Sequence, residues 1–235
     1  MTVPDIAIIV PYRDRDVHRS VFMKIMPNIL EDLNYKIFFI HQRDKRPFNR
    51  GAIKNLGYLH IKRTYPEHYK KMTLVFNDID LMPWYKNQFT YETTVGNVNH
   101  FFGFTRTLGG IFAIKGSDFE KINGFPNIWT WGMEDNCLLK RCNKHGIKIL
   151  RNQFVSAEND GNNIIALMCN DGNKRLVSKN IQHKFTNDNG TDGVESLYNI
   201  EMNSEISKDG YLSLIHISEP TRPERISYGG LCVKK

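Results

Sequence analysis

Apolar runs and helical periods alternate over the first eighty residues. Ile6–Val10 is continuously apolar and closes at Pro11, the pattern of a strand buried on both faces that delivers a loop. Val17–Leu33 places Val21, Ile25, Ile29 and Leu33 at every fourth position, which predicts a helix with one apolar face and a kink or split at Pro27. Tyr35–Ile40 reads as a second buried strand, followed by a polar loop over His41–Pro47. Phe48–Ile61 carries Ala52, Leu56 and Leu59 on one helical face, and Met72–Phe76 is a third apolar strand ending in Asp78 and Asp80. Strands alternating with helices in this way predict a mostly parallel sheet covered on both faces.

Further on the pattern shortens. Phe101–Phe104 and Gly110–Ile114 read as short strands. Ser117 and Glu120 form a capping-box pattern for a helix over Asp118–Ile122, which Gly124 and Pro126 stop. A helix from Glu134 to His145 is closed by Gly146. After Ile149 the period weakens, and 156–163 and 186–193, rich in Gly, Asn and Asp, read as loops. The expected organisation is one domain over 1–212. Segment 213–235 has no sustained period and resembles the translated read-through of a sequencing adapter; that resemblance implies a natural chain interrupted near Leu212 and a non-native tail.

Composition narrows the class. An apolar fraction of 40% argues against wholesale disorder. No run approaches the roughly eighteen apolar residues that a membrane span needs, so no membrane segment is expected. No secretory leader is visible before the first strand. The four cysteines, Cys137, Cys142, Cys169 and Cys232, form no CxxC pair, which disfavours structural zinc and a disulfide framework. A formal charge of +7 points to an anionic partner, and a nucleotide diphosphate satisfies it as well as nucleic acid does.

The densest chemistry is Asn77-Asp78-Ile79-Asp80. In an extended backbone both carboxylates face the same side, at the sheet edge where open α/β sheets bind ligands. Their repulsion is relieved by a hard cation, Mn²⁺ or Mg²⁺, that keeps sites for phosphate oxygens. Alternatively the pair is a polar turn ending a strand. Pro11-Tyr12-Arg13-Asp14-Arg15 brings Arg13 and Arg15 toward the same crevice, where guanidinium groups suit phosphates. Phe48 and Arg50 open the next helix, positioned for a base and an anion. Trp129-Thr130-Trp131-Gly132-Met133-Glu134-Asp135-Asn136 joins indoles suited to a sugar's apolar face with acids suited to its hydroxyls, one of them a candidate general base. The other reading makes both tryptophans core and Asp135 a helix cap. His183 is the candidate third metal ligand.

Taken in order, PYRDR at 11–15, FNRGAIKNLG at 48–57, FNDIDLMP at 76–83, LGGIFAIKGSDFEKINGFPN at 108–127 and WTWGMEDN at 129–136 closely resemble the β-1,4-galactosyltransferase family over about 6–150. The resemblance implies a single type A glycosyltransferase (GT-A) domain of α/β class, with a Rossmann-like, mostly parallel sheet. It further implies a Mn²⁺-dependent, inverting transfer from UDP-Gal or UDP-GalNAc to a glycan hydroxyl, with no nucleic-acid partner. By matching position, Pro11, Arg13, Arg15, Phe48, Arg50 and Asp78 hold the donor, and Gly109 and Gly110 lie beneath its sugar. Asp80 and His183 bind metal, Trp131 and Glu134 meet the acceptor, and Asp135 is the base. Asn77 stands where the family carries histidine, Met133 where it carries glycine, and Asn136 where it carries an acid. Thr107 stands where vertebrate galactosyl enzymes carry a bulky tyrosine, which leaves room for an acetamido group. Two other functions share some of these features: a lectin-like sugar-binding domain and a metal-dependent nucleotidyl or phosphodiester enzyme. A complete chain is expected to be soluble and cytoplasmic, and a truncated catalytic domain Golgi-lumenal.

Overall fold

The chain alternates strands and helices around one mixed sheet. The structure, a computed structural model, describes residues 2–158, 163–167 and 177–197. In chain order the elements are β1 (Ile6–Tyr12), α1 (Asp16–Ile29), β2 (Tyr35–His41), α2 (Arg50–Thr64), β3 (Thr73–Asn77), β4 (Leu81–Pro83), β5 (Asn97–Gly103), β6 (Ile111–Lys115), α3 (Gly116–Lys121), α4 (Glu134–Lys144), β7 (Lys148–Leu150), β8 (Val155–Ser156), β9 (Ile164–Ala166) and α5 (Lys179–Thr186). The main sheet runs β2-β1-β3-β6-β5-β7, with β8 also on β5, and β4 pairs with β9. β1 is parallel to both β2 and β3, whereas β6 is antiparallel to β3 and β5.

Successive side chains of a strand take opposite faces, and both faces of this sheet are buried. Ala7 and Ile9 of β1 enter one core with Phe38, Leu74 and Phe76, under α2, α3 and α4. Ile6, Ile8 and Val10 enter the other with Ile37, Phe39 and Val75, under α1. Continuous apolar runs are therefore what β1, β2 and β3 require.

Three local expectations change. β1 does not stop at Pro11 but continues to Tyr12. The β3 ladder on β1 ends opposite Ile9, so the N–H that proline lacks deprives β3 of no partner. α1 buries Phe22 and Met26, one position on from the expected stripe, and Val21, Ile25, Ile29 and Leu33 flank it half-buried. Pro27 neither splits nor kinks the body of that helix, because it stands in the last turn. The capping box at Ser117 does not form: the N-cap is Lys115, the Ser117 hydroxyl has no partner, and Glu120 instead accepts from Lys62 and Tyr69. Tertiary partners outcompete the local bond there.

Among the described residues no helix is long and apolar enough to cross a membrane. Cys169, Cys232, the 213–235 tail and residues 159–162 of the 156–163 loop lie outside the described residues.

Candidate functional site

The parallel strands β1 and β3 end side by side, at the edge where the sheet's strand order turns back on itself. Open α/β sheets bind ligands at such an edge. A cleft of about 1270 Å³ lies there, lined by Pro11–His18 after β1, by Pro47, Phe48 and Arg50, by Asp78–Asp80 after β3, and by Thr130, Trp131 and Glu134. The acidic turn and the tryptophan segment, fifty residues apart in the chain, thus share one cavity.

On the β1 side, Arg15 and Arg13 both line the cleft. Arg13 donates to the Arg46 carbonyl at 2.6 Å and lies 5.4 Å over the Phe48 ring. Phe48 is half-buried, packed against the core on one side and open to the cleft on the other. At the head of α2 the Asn49 side chain accepts from the Ala52 N–H, and Asn49 itself is held by Gln42. This cap aims the helix N-terminus and Arg50 at the cavity, a favourable arrangement for an anion.

The acidic turn leaves β3 directly. Asn77 donates from its amide to the carbonyls of Asp78 and Leu81, both at 2.8 Å, so the residue that departs from the family pattern holds the turn closed. Asp78 and Asp80 both reach the cleft although the backbone there is turned rather than extended. Burial and then the neighbouring charge of Asp78 raise the Asp80 carboxyl above its usual range.

α4 supplies the facing wall. Its N-cap, Met133, has left-handed backbone at φ 70°, directly after Gly132 at φ 114°. Glycine adopts this conformation freely and a side chain pays about 1–2 kcal/mol for it, so the departure at Met133 carries local strain. Glu134 and Asp135 follow in the first turn. Glu134 is buried, its Oε2 has no partner, and burial and then Asp135 raise its carboxyl. Asp135 is not an N-cap.

Two cations of α2, one turn apart, tie these walls together. Arg50 lies 3.9 Å from Asp78 and 3.6 Å from Glu134, and Asp78 above all raises its already high pKa. Lys54 donates to Asp135 Oδ1 at 3.1 Å and lies 3.9 Å from Asp78. Lys54 was not singled out from sequence. The available signal was a lone cation inside the apolar run of α2, one turn after Arg50.

The tryptophan pair divides. Trp131 is 42% exposed and lines the cleft. Trp129 instead stacks under the Arg46 guanidinium at 4.0 Å, so it braces the 43–48 loop rather than a sugar. Gly109 and Gly110 are not among the residues lining the cleft, and a side chain at either would meet the protein itself. A Cβ at Gly109 would fall 2.2 Å from Asp135 Oδ2, and one at Gly110, where φ is +74°, would fall 2.4 Å from the Phe102 carbonyl. The space is taken by the protein's own carboxylate and backbone, and the Gly110 carbonyl accepts from the Asp78 N–H. Thr107 sits half-buried in the adjoining turn, its hydroxyl directed to the Phe104 carbonyl, and does not line the cleft.

His183 is not brought to the acidic turn. It is exposed on α5, bonded to Asn187 at 2.9 Å, and α5 packs against α4. Among the described residues no three His, Cys, Asp or Glu side chains are grouped to hold a metal. The Asp78–Asp80 pair still fits a hard cation that takes its remaining ligands from phosphate oxygens and water, because such ions are often held by one or two carboxylates.

His100, on β5, props the glycine floor. Its Nε2 lies 3.0 Å from the Gly109 carbonyl and 3.1 Å from that of Phe102, so Nε2 carries the proton, and Nδ1 accepts from Arg151 at 3.3 Å. Burial, assisted by Arg151, pushes this imidazole down to about 4. The unfolded chain protonates histidine near 6.5, so between these values it binds a proton that the folded chain does not, and stability falls as pH falls. The loss reaches roughly 3 kcal/mol at the acid end. His100→Gln is expected to flatten the melting temperature against pH between about 6.5 and 4. A slope identical to the parent's would contradict this.

The N-terminal region of glycosyl transferase group 7 matches residues 1–93, and the N-terminal domain of galactosyltransferase matches residues 90–160. β-1,4-Galactosyltransferase 4 of Cricetulus griseus is 31% identical over 165 residues, covering 63% of this chain and 45% of that protein. β-1,4-Galactosyltransferase 1 of Bos taurus is 31% identical over 161 residues, covering 64% of this chain and 39% of that protein. The chain thus spans less than half the length of these relatives. The catalytic domain of Drosophila β1,4-galactosyltransferase 7, solved with xylobiose, superposes with a TM-score of 0.75 at 22% identity, over 92% of this chain and 94% of that one. A mutant of the same enzyme, solved with manganese, UDP-Gal and xylobiose, gives a TM-score of 0.74 at 21% identity over the same shares. Both likenesses show the GT-A fold.

Proposed function

The chain belongs to the glycosyl transferase group 7 family of β-1,4-galactosyltransferase relatives, and we propose that it transfers a hexose from a UDP-sugar to a glycan hydroxyl with inversion. The reading is supported above all by one arrangement: Arg50 and Lys54 each touch Asp78 on one wall and an α4 acid on the other. Asp78 and Glu134 thus face one cleft, with Asp135 next to Glu134 and held on Lys54, an arrangement that supports a donor side and an acceptor side.

In this mechanism Arg13, Arg15 and Arg50 surround the diphosphate with fixed positive charge, and Phe48 supports the base. Asp80, with Asp78 beside it, holds Mn²⁺ or Mg²⁺, which when bound stabilises negative charge on the departing diphosphate. Trp131 takes the apolar face of the acceptor sugar, and Glu134, which lines the cleft beside it, meets the acceptor's hydroxyls. Asp135 receives the proton of the attacking hydroxyl. One base and no protein nucleophile implies a single displacement, hence inversion.

The test is a panel of UDP-sugars with and without Mn²⁺ against an array of glycan acceptors. Mn²⁺-dependent product from UDP-Gal is the expected result. UDP-GalNAc belongs in the panel because Thr107 stands where vertebrate relatives carry tyrosine, although Thr107 itself lies outside the cleft lining; complete exclusion of UDP-GalNAc beside active UDP-Gal would remove that part of the reading. Acceptor binding with no transfer from any UDP-sugar would overturn the whole.

A further inference from the structure

Lys54 is an expensive residue in this fold. It is 1% exposed, sits mid-helix in α2 among apolar neighbours, and its ammonium lies 4.6 Å over the Phe125 ring. A buried cation persists where its partners are good, and here they are two carboxylates from different elements, Asp78 after β3 and Asp135 at the head of α4. From this geometry we infer that Lys54 is a positioning residue that fixes the Asp135 carboxylate by taking Oδ1, so that Oδ2 alone is presented for the acceptor's proton. The inference rests on Asp135 being the base.

Three contacts define the carboxylate's pose. Lys54 Nζ donates to Oδ1 at 3.1 Å. Oδ2 lies against the α-carbon of Gly109, where any Cβ would collide with it. The residue's own carbonyl accepts from the Leu108 N–H at 3.1 Å, which ties the backbone of α4's first turn to the glycine segment. The second partner, Asp78 at 3.9 Å, anchors the ammonium to the donor wall, so one side chain references the base to the donor site. Arg50 does not duplicate this, since on α4 it reaches Glu134. Displacing a reacting group by about 1 Å costs on the order of 10²-fold in rate.

Lys54→Met removes the ammonium and retains a similar stem. The expected result is a kcat for transfer lower by roughly 10²-fold, with KM for the UDP-sugar and calorimetric UDP affinity within about threefold of the parent. In an Asp135→Asn background the same substitution should change the residual rate by less than about twofold, because Lys54 acts through that carboxylate. Lys54→Gln, which keeps an N–H donor, should recover part of the rate. Should the Met variant not fold, the same cycle is read on the Gln variant, with a smaller loss expected. A full rate in either folded variant, or an undiminished loss in the Asp135→Asn background, overturns the inference. A parent chain that transfers nothing overturns the proposed function, so the two failures are told apart.

Discussion

Asp135→Asn is expected to reduce transfer by roughly 10²–10⁴-fold while UDP binding stays close to the parent's. Asparagine preserves the shape of the side chain and can still accept from Lys54, now 3.1 Å from Oδ1. What it lacks is an oxygen basic enough to take a proton from the acceptor hydroxyl. Asp135 is not among the residues lining the cleft: it stands beside Glu134 in the first turn of α4 with Oδ1 on Lys54, and of the arginines proposed to hold the diphosphate its charge acts on Arg50. Product formation beside calorimetry with UDP separates the two effects. Parallel loss of both would make Asp135 a structural support of the donor site instead.

The second large effect concerns Asp80. Asp80→Ala should abolish the increment in UDP affinity that Mn²⁺ provides, leaving the same weak affinity with and without the ion. The carboxyl is raised first by burial and then by Asp78, so in the absence of a cation its charge is poorly accommodated. Removing it therefore relieves repulsion in the metal-free chain, and the melting temperature without Mn²⁺ is expected to hold or rise. In saturating Mn²⁺ the parent gains stability by mass action and the variant does not. An Mn²⁺ increment that survives in Asp80→Ala would place the ion elsewhere.

Much of this was legible because the signals are local. The three buried strands are continuous apolar runs, and the arginines, the acidic turn and the WTWGMEDN segment each form a short dense cluster that pointed to the residues now facing the cleft. Where a side chain's fate depends on a partner far along the chain, local reading failed. Glu120 looked like half of a capping box and is held by Lys62 and Tyr69. Trp129 looked like half of a sugar platform and is held by Arg46. The 186–193 segment carries no apolar period because it is fastened by polar bonds: Arg141, 2% exposed, donates to Asp188, to Gly124 and to Asp192. His183 reads as a third metal ligand only if its segment folds back over the sheet edge, and the helix that bears it packs on α4 instead.

By itself the sequence determined the fold class, the three strands that form the sheet's parallel half, and the identity of the carboxylates and arginines, since each is written in a period or a spacing of a few residues. Only the tertiary structure decided that β6 enters antiparallel between β3 and β5, that Gly109 is small because Asp135 lies against it, and that Lys54 joins the two acidic walls. The reason is common to all three: each is a contact between elements whose separation in the chain exceeds any helical or strand period, so it exists only once the sheet has assembled.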